Sequence, residues 1–193
     1  MQHSNSKPAG KYRIIGGRWR GKKIIITDAE GLRPTPDRVR ETLFNWLVKP
    51  IANAACLDLF AGSGALGIEA LSRGASSVVF VEKNRRVASH LGKQLDELAV
   101  DAEVVCADAM DYLQKQPRKF DIVFLDPPYQ GKLLEPALRA LEANGWLGND
   151  AFIYVENPAR ESLPDFPPGW VLWRESKAGQ VGYYLFRRQH MAD

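Results

Sequence analysis

From residue 55 onward the apolar residues gather in short runs, Cys56 to Phe60, Ser77 to Glu82, Glu103 to Cys106, Phe120 to Leu125 and Ala151 to Glu156, each four to six residues long. Between them the chain reads as helices through Gly67 to Ser72, Arg85 to Leu98, Met110 to Gln114 and Leu133 to Ala143. Strands that alternate with helices imply right-handed crossovers and a mostly parallel sheet covered on both faces. The last quarter breaks that rhythm. Trp170 to Glu175 and Val181 to Arg187 are strand-like, and the Ser176 to Gln180 link is too short for a crossover helix, so they predict an antiparallel hairpin at one edge.

The first fifty residues follow another pattern. Ser4, Asn5, Ser6, Pro8 and Gly10 mark a flexible arm. Tyr12 to Ile15, Arg18 to Arg20 and Lys22 to Ile26 read as short β segments joined by the Gly16-Gly17 turn. Arg33-Pro34-Thr35-Pro36 forbids helix, and a helix opens near Asp37 with Val39, Leu43, Phe44 and Leu47 at helical spacing. We therefore divide the chain into an extension over 1–50 and an α/β domain over 51–193.

With 193 residues, 45% of them hydrophobic, the chain can bury one real core. Its longest apolar stretches are of strand length, so neither a membrane span nor a secretory h-region is expected, and the protein is read as cytoplasmic. Cys56 and Cys106 lie 50 positions apart in apolar contexts with no CxxC, and both are expected to be buried thiols. His3, His90 and His190 offer no ligand set, so no metal is expected. Charge is unevenly spread. Residues 1–50 carry eleven Lys and Arg against four Asp and Glu, while the whole chain nets only +3, so a basic end sits on a mildly acidic body. That polarity is a common footprint of phosphate-backbone contact.

Two motifs carry chemistry. Asp58 to Gly67 lies on the turn from the first sheet strand into its helix, where backbone N–H groups and the positive helix end face a crevice. Gly62-Ser63-Gly64-Ala65-Leu66-Gly67 also matches GxGxxG, so this loop alone fits a dinucleotide equally well. Glu82 ends the second strand 20 positions after Gly62, where a carboxylate can accept both ribose hydroxyls. Asp108 ends the third strand, where an acid can take a hydrogen bond from an adenine amine or can cap the helix that follows.

The second motif is Asp126-Pro127-Pro128-Tyr129, directly after the fourth strand. An exocyclic base amine is a poor nucleophile because its lone pair is delocalised into the ring. Acceptors on its N–H bonds favour the pyramidal form that can attack a methyl sulfonium. Asp126 offers a carboxylate and Pro127 a carbonyl, and the two prolines hold them in place beforehand. Tyr129 offers a face for stacking on an unstacked base, worth on the order of 1–3 kcal/mol. The target base must be flipped out or already unpaired.

These residues resemble the class I S-adenosylmethionine-dependent methyltransferases. Arg13-Ile14-Ile15-Gly16-Gly17-Arg18-Trp19-Arg20-Gly21 and the string from Arg33-Pro34-Thr35-Pro36 to Phe44-Asn45 are similar to the RsmD family, bacterial enzymes that methylate guanine N2 in 16S ribosomal RNA. The resemblance covers nearly the whole chain. It implies a Rossmann-like, seven-stranded, mostly parallel sheet with an antiparallel C-terminal hairpin, and a small N-terminal β-hairpin. It also implies that Asp58, Phe60, Ala61, Gly62, Ser63, Gly64 and Leu66 line the methionine and ribose region, with Glu82 and Lys83 at the ribose and Asp108 and Ala109 at adenine. Asp126, Pro127, Pro128 and Tyr129 would hold the amine. Arg18, Trp19, Arg20, Lys22, Lys23, Arg33, Arg38 and Arg40 would grip RNA, although Arg38 and Arg40 could equally pair with Asp37 or Glu41. The implied cofactor is S-adenosylmethionine, and the implied partner is 16S rRNA within a small-subunit assembly particle, with guanine 966 as the nucleotide the family implies. An exposed basic face favours a monomer. Phe60 departs from the superfamily loop, which often has glycine there.

Other readings stay open on the tetrad alone. A DNA adenine-N6 methyltransferase shares it, but would need a target-recognition region for which there is no spare length. An NAD-type oxidoreductase would need a Tyr-Lys, His or Cys placed at a nicotinamide, and none is.

Overall fold

The computed structural model describes residues 10–27, 35–100, 102–128 and 132–189. The expected flexible arm lies outside them except for Gly10, as do Arg33 and Tyr129. An antiparallel pair, β1 (Gly10–Arg13) and β2 (Lys23–Ile26), precedes α1 (Asp37–Trp46). There follow β3 (Ala55–Asp58), α2 (Ala65–Ser72), β4 (Ser77–Val81), α3 (Arg85–Glu97), β5 (Glu103–Val105), α4 (Ala109–Leu113), β6 (Phe120–Leu125), α5 (Leu134–Ala143), β7 (Leu147–Pro158), β8 (Trp170–Ala178) and β9 (Val181–Arg188). β3 to β9 form one seven-stranded sheet in the order β5-β4-β3-β6-β7-β9-β8, as the resemblance implied. Only the β7–β9 and β8–β9 pairs are antiparallel.

Two apolar layers follow from the period-two alternation of the strands. Cys56, Phe80, Ile122, Phe124, Tyr154 and Leu185 face α1, α2 and α3, while Leu57, Val79, Val123, Leu125, Ile153 and Val155 face α4 and α5. The hairpin belongs to the first layer, because Tyr12, Ile14, Ile24 and Ile26 share its core with Leu43 and Phe44 of α1.

Several expectations are corrected. Arg18 to Arg20 is not a strand: Gly17–Trp19 forms a single 3₁₀ turn. Gly17 has φ +74°, and a Cβ there would lie 1.8 Å from the Ser72 carbonyl oxygen, so the chain is pinned against the end of α2 and cannot extend. β7 starts at Leu147, earlier than Ala151, because Leu147 pairs with Phe120 across an irregularity in the ladder. β8 and β9 run further toward each other than predicted and leave only Gly179-Gln180 as the turn, with Gly179 at φ +59°. Cys56 is buried but Cys106 is exposed, because it leaves β5, the strand at the sheet's edge. Both thiols are free.

One buried carboxylate ties the extension to the sheet domain. Glu69 of α2 accepts from the amides of Ile15 (2.9 Å) and Gly16 (2.8 Å), from Arg73 Nε (2.7 Å) and from Arg40 Nη1 (3.3 Å). Arg40 and Glu69 are both fully buried. Such a pair contributes little net stability when whole, but losing one partner strands the other charge. Glu69→Ala should therefore cost about 3–5 kcal/mol in urea denaturation, with amide exchange at Ile15 and Gly16 accelerating first. Unchanged exchange at those two amides would mean the hairpin is held by its apolar face alone.

Candidate functional site

In open α/β sheets ligands bind outside the carboxyl ends of the strands, where the strand order reverses. Here the chain runs β3, β4, β5 in one direction and then returns to place β6 on the other side of β3, so the reversal lies between β3 and β6. Asp58 ends β3 and Asp126 follows β6, which puts both sequence motifs at that point.

The loop after β3 is shaped for close approach. Gly64 caps α2 with φ +74°, and a Cβ there would meet Leu91 at 2.5 Å. Gly67 packs α2 against β4 so closely that a Cβ would meet Phe80 at 2.2 Å. The Asp58 carboxylate accepts from the Gly67 amide (3.0 Å), capping the open end of α2 from the neighbouring strand. Glu82 accepts from Gly62 N (2.9 Å) through one oxygen and from Asn84 N (2.7 Å) through the other. Each of those oxygens keeps a second lone pair for a ribose hydroxyl. Asp108 caps α4 through Oδ1, bonded to Met110 N at 2.8 Å, and Oδ2 remains for a ligand amine, so its two roles are compatible. This donor and acceptor set fits an adenosine-bearing cofactor.

The other residues assigned to the loop are less uniform. Phe60 and Gly62 are half-buried, while Ala61, Ser63 and Ala109 are buried. Leu66 is packed in the core beneath the loop, and Lys83 is exposed. Tyr12 of the hairpin donates to the Ser63 carbonyl (3.2 Å), so the extension touches the loop directly.

At the amine-acceptor corner Asp126 is half-buried, Pro127 buried and Pro128 exposed. The β6–β7 ladder pairs Phe124 with Tyr154 and Leu125 with Val155, and one further step sets Asp126 beside Glu156. Asp58 lies opposite Phe124 on β3, on the same face. Three acids thus line one rim. They do not converge tightly enough to hold a metal, and no such cluster occurs among the described residues. Burial, with Glu156 and Asp58 close by, pushes the Asp126 carboxyl well above the usual carboxylate range. Burial also raises Glu156, opposed by the Tyr154 and Thr35 hydroxyls, and Tyr154 donates to Glu156 Oε1 at 2.9 Å. Burial raises Asp58 to about 7, against the Gly67 amide. The sequence reading missed Glu156 and its two hydroxyl partners. The signal was present, since Glu156 closes the apolar run from Ala151 as Glu82 closes the run from Ser77.

Among the basic residues, Arg18, Arg20, Lys22 and Lys23 are exposed on the hairpin, with the Arg18 guanidinium 3.9 Å over the Trp19 ring. Trp19 itself is half-buried against the core. Arg38 is exposed on α1. Arg40 does not join them: its guanidinium bonds Thr35 O, Arg13 O, Asp37 and Glu69 inside the protein. A cleft of about 290 Å³ between the hairpin and α1 is lined by Arg13 and Arg20 but also by Asp37 and Glu41, so its charges offset.

A sheet of this order, with a glycine loop after its first strand and an Asp-Pro-Pro corner beside it, is the Rossmann-like methyltransferase fold. The solved Escherichia coli chain yhhF superposes with a TM-score of 0.88 and 49% identity, covering 93% of this chain and 99% of that one. The family described as conserved hypothetical protein 95 matches residues 12–187, and the chain belongs to it, among the RsmD-type methyltransferases. Ribosomal RNA small subunit methyltransferase D of Escherichia coli K12 is 50% identical over 190 residues, 98% of this chain and 96% of that protein. Its counterpart of the same name in Haemophilus influenzae is 47% identical over 193 residues, 97% and 98% of the two chains.

The acidic rim has a measurable cost. Ionising Asp58 is harder in the folded protein than in the unfolded chain, so its contribution to stability is intact below about pH 4 and declines as pH rises to about 7. Asp58→Asn keeps an acceptor for Gly67 N and should stabilise the protein by roughly 2–4 kcal/mol above pH 8, with the gain vanishing toward pH 4. A pH-independent difference in denaturation midpoints would show that Asp58 is not the group responsible.

Proposed function

We propose that this protein transfers the methyl group of S-adenosylmethionine to the exocyclic N2 amine of a guanine in 16S rRNA, acting in the cytoplasm on a base that is flipped out or unpaired. The observation that carries this reading is the position of Asp126-Pro127-Pro128 at the end of β6, beside the glycine loop at the point where strand order reverses. The names of the Escherichia coli and Haemophilus influenzae relatives support the RNA as substrate.

The cofactor supplies an electrophilic methyl group on a cationic sulfur. The chain's own residues do the rest. Gly62 to Gly64 allow close approach, Glu82 holds ribose hydroxyls, and Asp108 takes the adenine amine. The Asp126 carboxylate and the Pro127 carbonyl accept the two N–H bonds of the target amine and hold its lone pair out of conjugation. Tyr129 provides the stacking face. Arg18, Arg20, Lys22 and Lys23 stand on one exposed turn and strand of the hairpin, where they can meet RNA phosphates. Arg38, exposed on α1, adds to this basic surface, Arg33 is assigned to the same RNA contact, and a monomer suffices for it.

Asp126→Ala should abolish methyl transfer to rRNA while leaving cofactor affinity within about threefold. Retained turnover refutes the acceptor role, and mass mapping of the product decides between guanine N2 and an adenine amine. Reversing the charges of Arg18 and Arg20 together should weaken RNA binding and reduce the slope of log K against log salt by about 2; an unaltered slope would move the RNA surface elsewhere.

A further inference from the structure

Among the described residues the rim of carboxyls has no cation of its own. Asp126 stands beside Glu156 across the β6–β7 ladder, with Asp58 on β3 level with Phe124, two residues lower. The groups around them are Glu82 after β4, Tyr154 on β7, Tyr183 opposite Glu156 on β9, Thr35 ahead of α1 and Tyr12 of the hairpin. All of these are acidic or neutral. No Lys or Arg of the described residues is among the groups acting on Asp126 or Glu156, and Arg40, whose guanidinium lies over the Tyr12 ring, is bonded to Glu69 and Asp37. Buried like charges of this kind are costly unless a cation arrives or a proton stays.

We propose that Asp126 and Glu156 work as one charge-switched proton acceptor, which gives up a proton when the cationic cofactor enters the crevice and regains one from the base amine as the methyl group is transferred. This rests on the cofactor and amine-acceptor roles proposed above. Asp126 is the carboxyl that meets the amine. Glu156 is a positioning residue that acts through Asp126, and the Tyr154 hydroxyl at 2.9 Å fixes its orientation.

In the free protein, burial and mutual repulsion push both carboxyls up and favour a proton on the pair. Two carboxyls this close titrate as a unit. A sulfonium nearby favours their ionised form and expels that proton to solvent, which leaves Asp126 anionic and ready to accept an N–H bond. In the transfer step the nitrogen lone pair forms the N–C bond, and the methyl–sulfur bond breaks with its electrons left on sulfur. The nitrogen then sheds a proton to Asp126. A cation and a carboxylate disappear together, so the acceptor's affinity for a proton rises at the moment the amine must lose one. The proton stays on the pair until the next cationic cofactor displaces it.

The test counts protons. The whole protein, free of RNA, is titrated calorimetrically with S-adenosylmethionine and with S-adenosylhomocysteine in buffers of different ionisation heat near neutral pH. The sulfonium ligand should release more protons than the neutral thioether, and Glu156→Gln should reduce that excess by about twofold or more. Equal counts for the two ligands, or an excess unchanged in Glu156→Gln, would overturn the proposal. Tyr154→Phe gives a second route if the Gln variant does not fold. Removing a hydroxyl that favours ionised Glu156 should move the pH of half-maximal release upward, and an unmoved midpoint is equally fatal. Methyl transfer retained by Asp126→Asn, whose amide oxygen still accepts an N–H bond but cannot take the proton, would overturn the proton-acceptor role while leaving the amine-acceptor reading standing, and failure of both ligands to bind would sink the cofactor reading and this one with it.

Discussion

The parallel register of β3, β6 and β7 is the constraint on which the site depends. Cys56 pairs with Ile122 and Asp58 with Phe124, while Phe124 also pairs with Tyr154. Side chains in register on adjacent parallel strands share a face, so one choice of register decides together that the apolar members pack under α1 and α2 and that the acidic members emerge at the rim. A slip of one residue in β6 would send Asp126 to the α4–α5 face and bring Leu125 to the crevice. The buried row of Ile122, Phe124 and Tyr154 makes such a slip expensive, and the position of the carboxyl is therefore enforced by the core rather than by its own contacts.

The N-terminal hairpin is bound to this arrangement through α2. Glu69 collects the amides of Ile15 and Gly16, Ser72 Oγ accepts from Trp19 N (3.1 Å) and donates to Gly16 O (2.6 Å), and Gln94 of α3 accepts from Ile25 N (2.9 Å). α2 is capped at its start by Gly64, the residue that closes the glycine loop. The exposed basic turn and the loop thus sit at opposite ends of one eight-residue helix, and Tyr12 adds a direct bond to the loop itself. Any RNA held on the hairpin is placed at a fixed offset from the crevice.

Much of this was legible along the chain because it is local. Phe120 to Leu125 is a strand with the predicted bounds, Asp58 ends β3, Glu82 directly follows β4, and Asp108 caps α4 three residues beyond β5. What escaped is lateral. Glu156 in isolation looks like a solvated strand end, and only its neighbour on β6 reveals its setting. Arg40 looks like a surface residue of a polar helix, because the Glu69 that buries it is 29 positions away. The insertion of β9 between β7 and β8 leaves no trace in element order, since either strand of a hairpin can dock first. Arg18 to Arg20 failed for a related reason: basic and aromatic residues beside a Gly-Gly pair fit a strand, but the Ser72 carbonyl forces a turn.

Four carboxyls set along one end of the sheet, two of them buried and two half-buried, would be hard to explain as a device for stability. Asp58 and Glu156 are each about 3% exposed, and neither has a basic partner among the described residues. The contrast within the same molecule is instructive. Glu69, equally buried, is neutralised by Arg40 and Arg73, so the fold can place guanidinium groups deep inside where structure alone requires them. It supplies hydroxyls and amides to the rim and guanidinium to the hairpin joint. An acidic edge whose hydrogen bonds are satisfied and that meets no counter-charge among the described residues is receptive to a cation from outside, at a cost in the stability of the unliganded state.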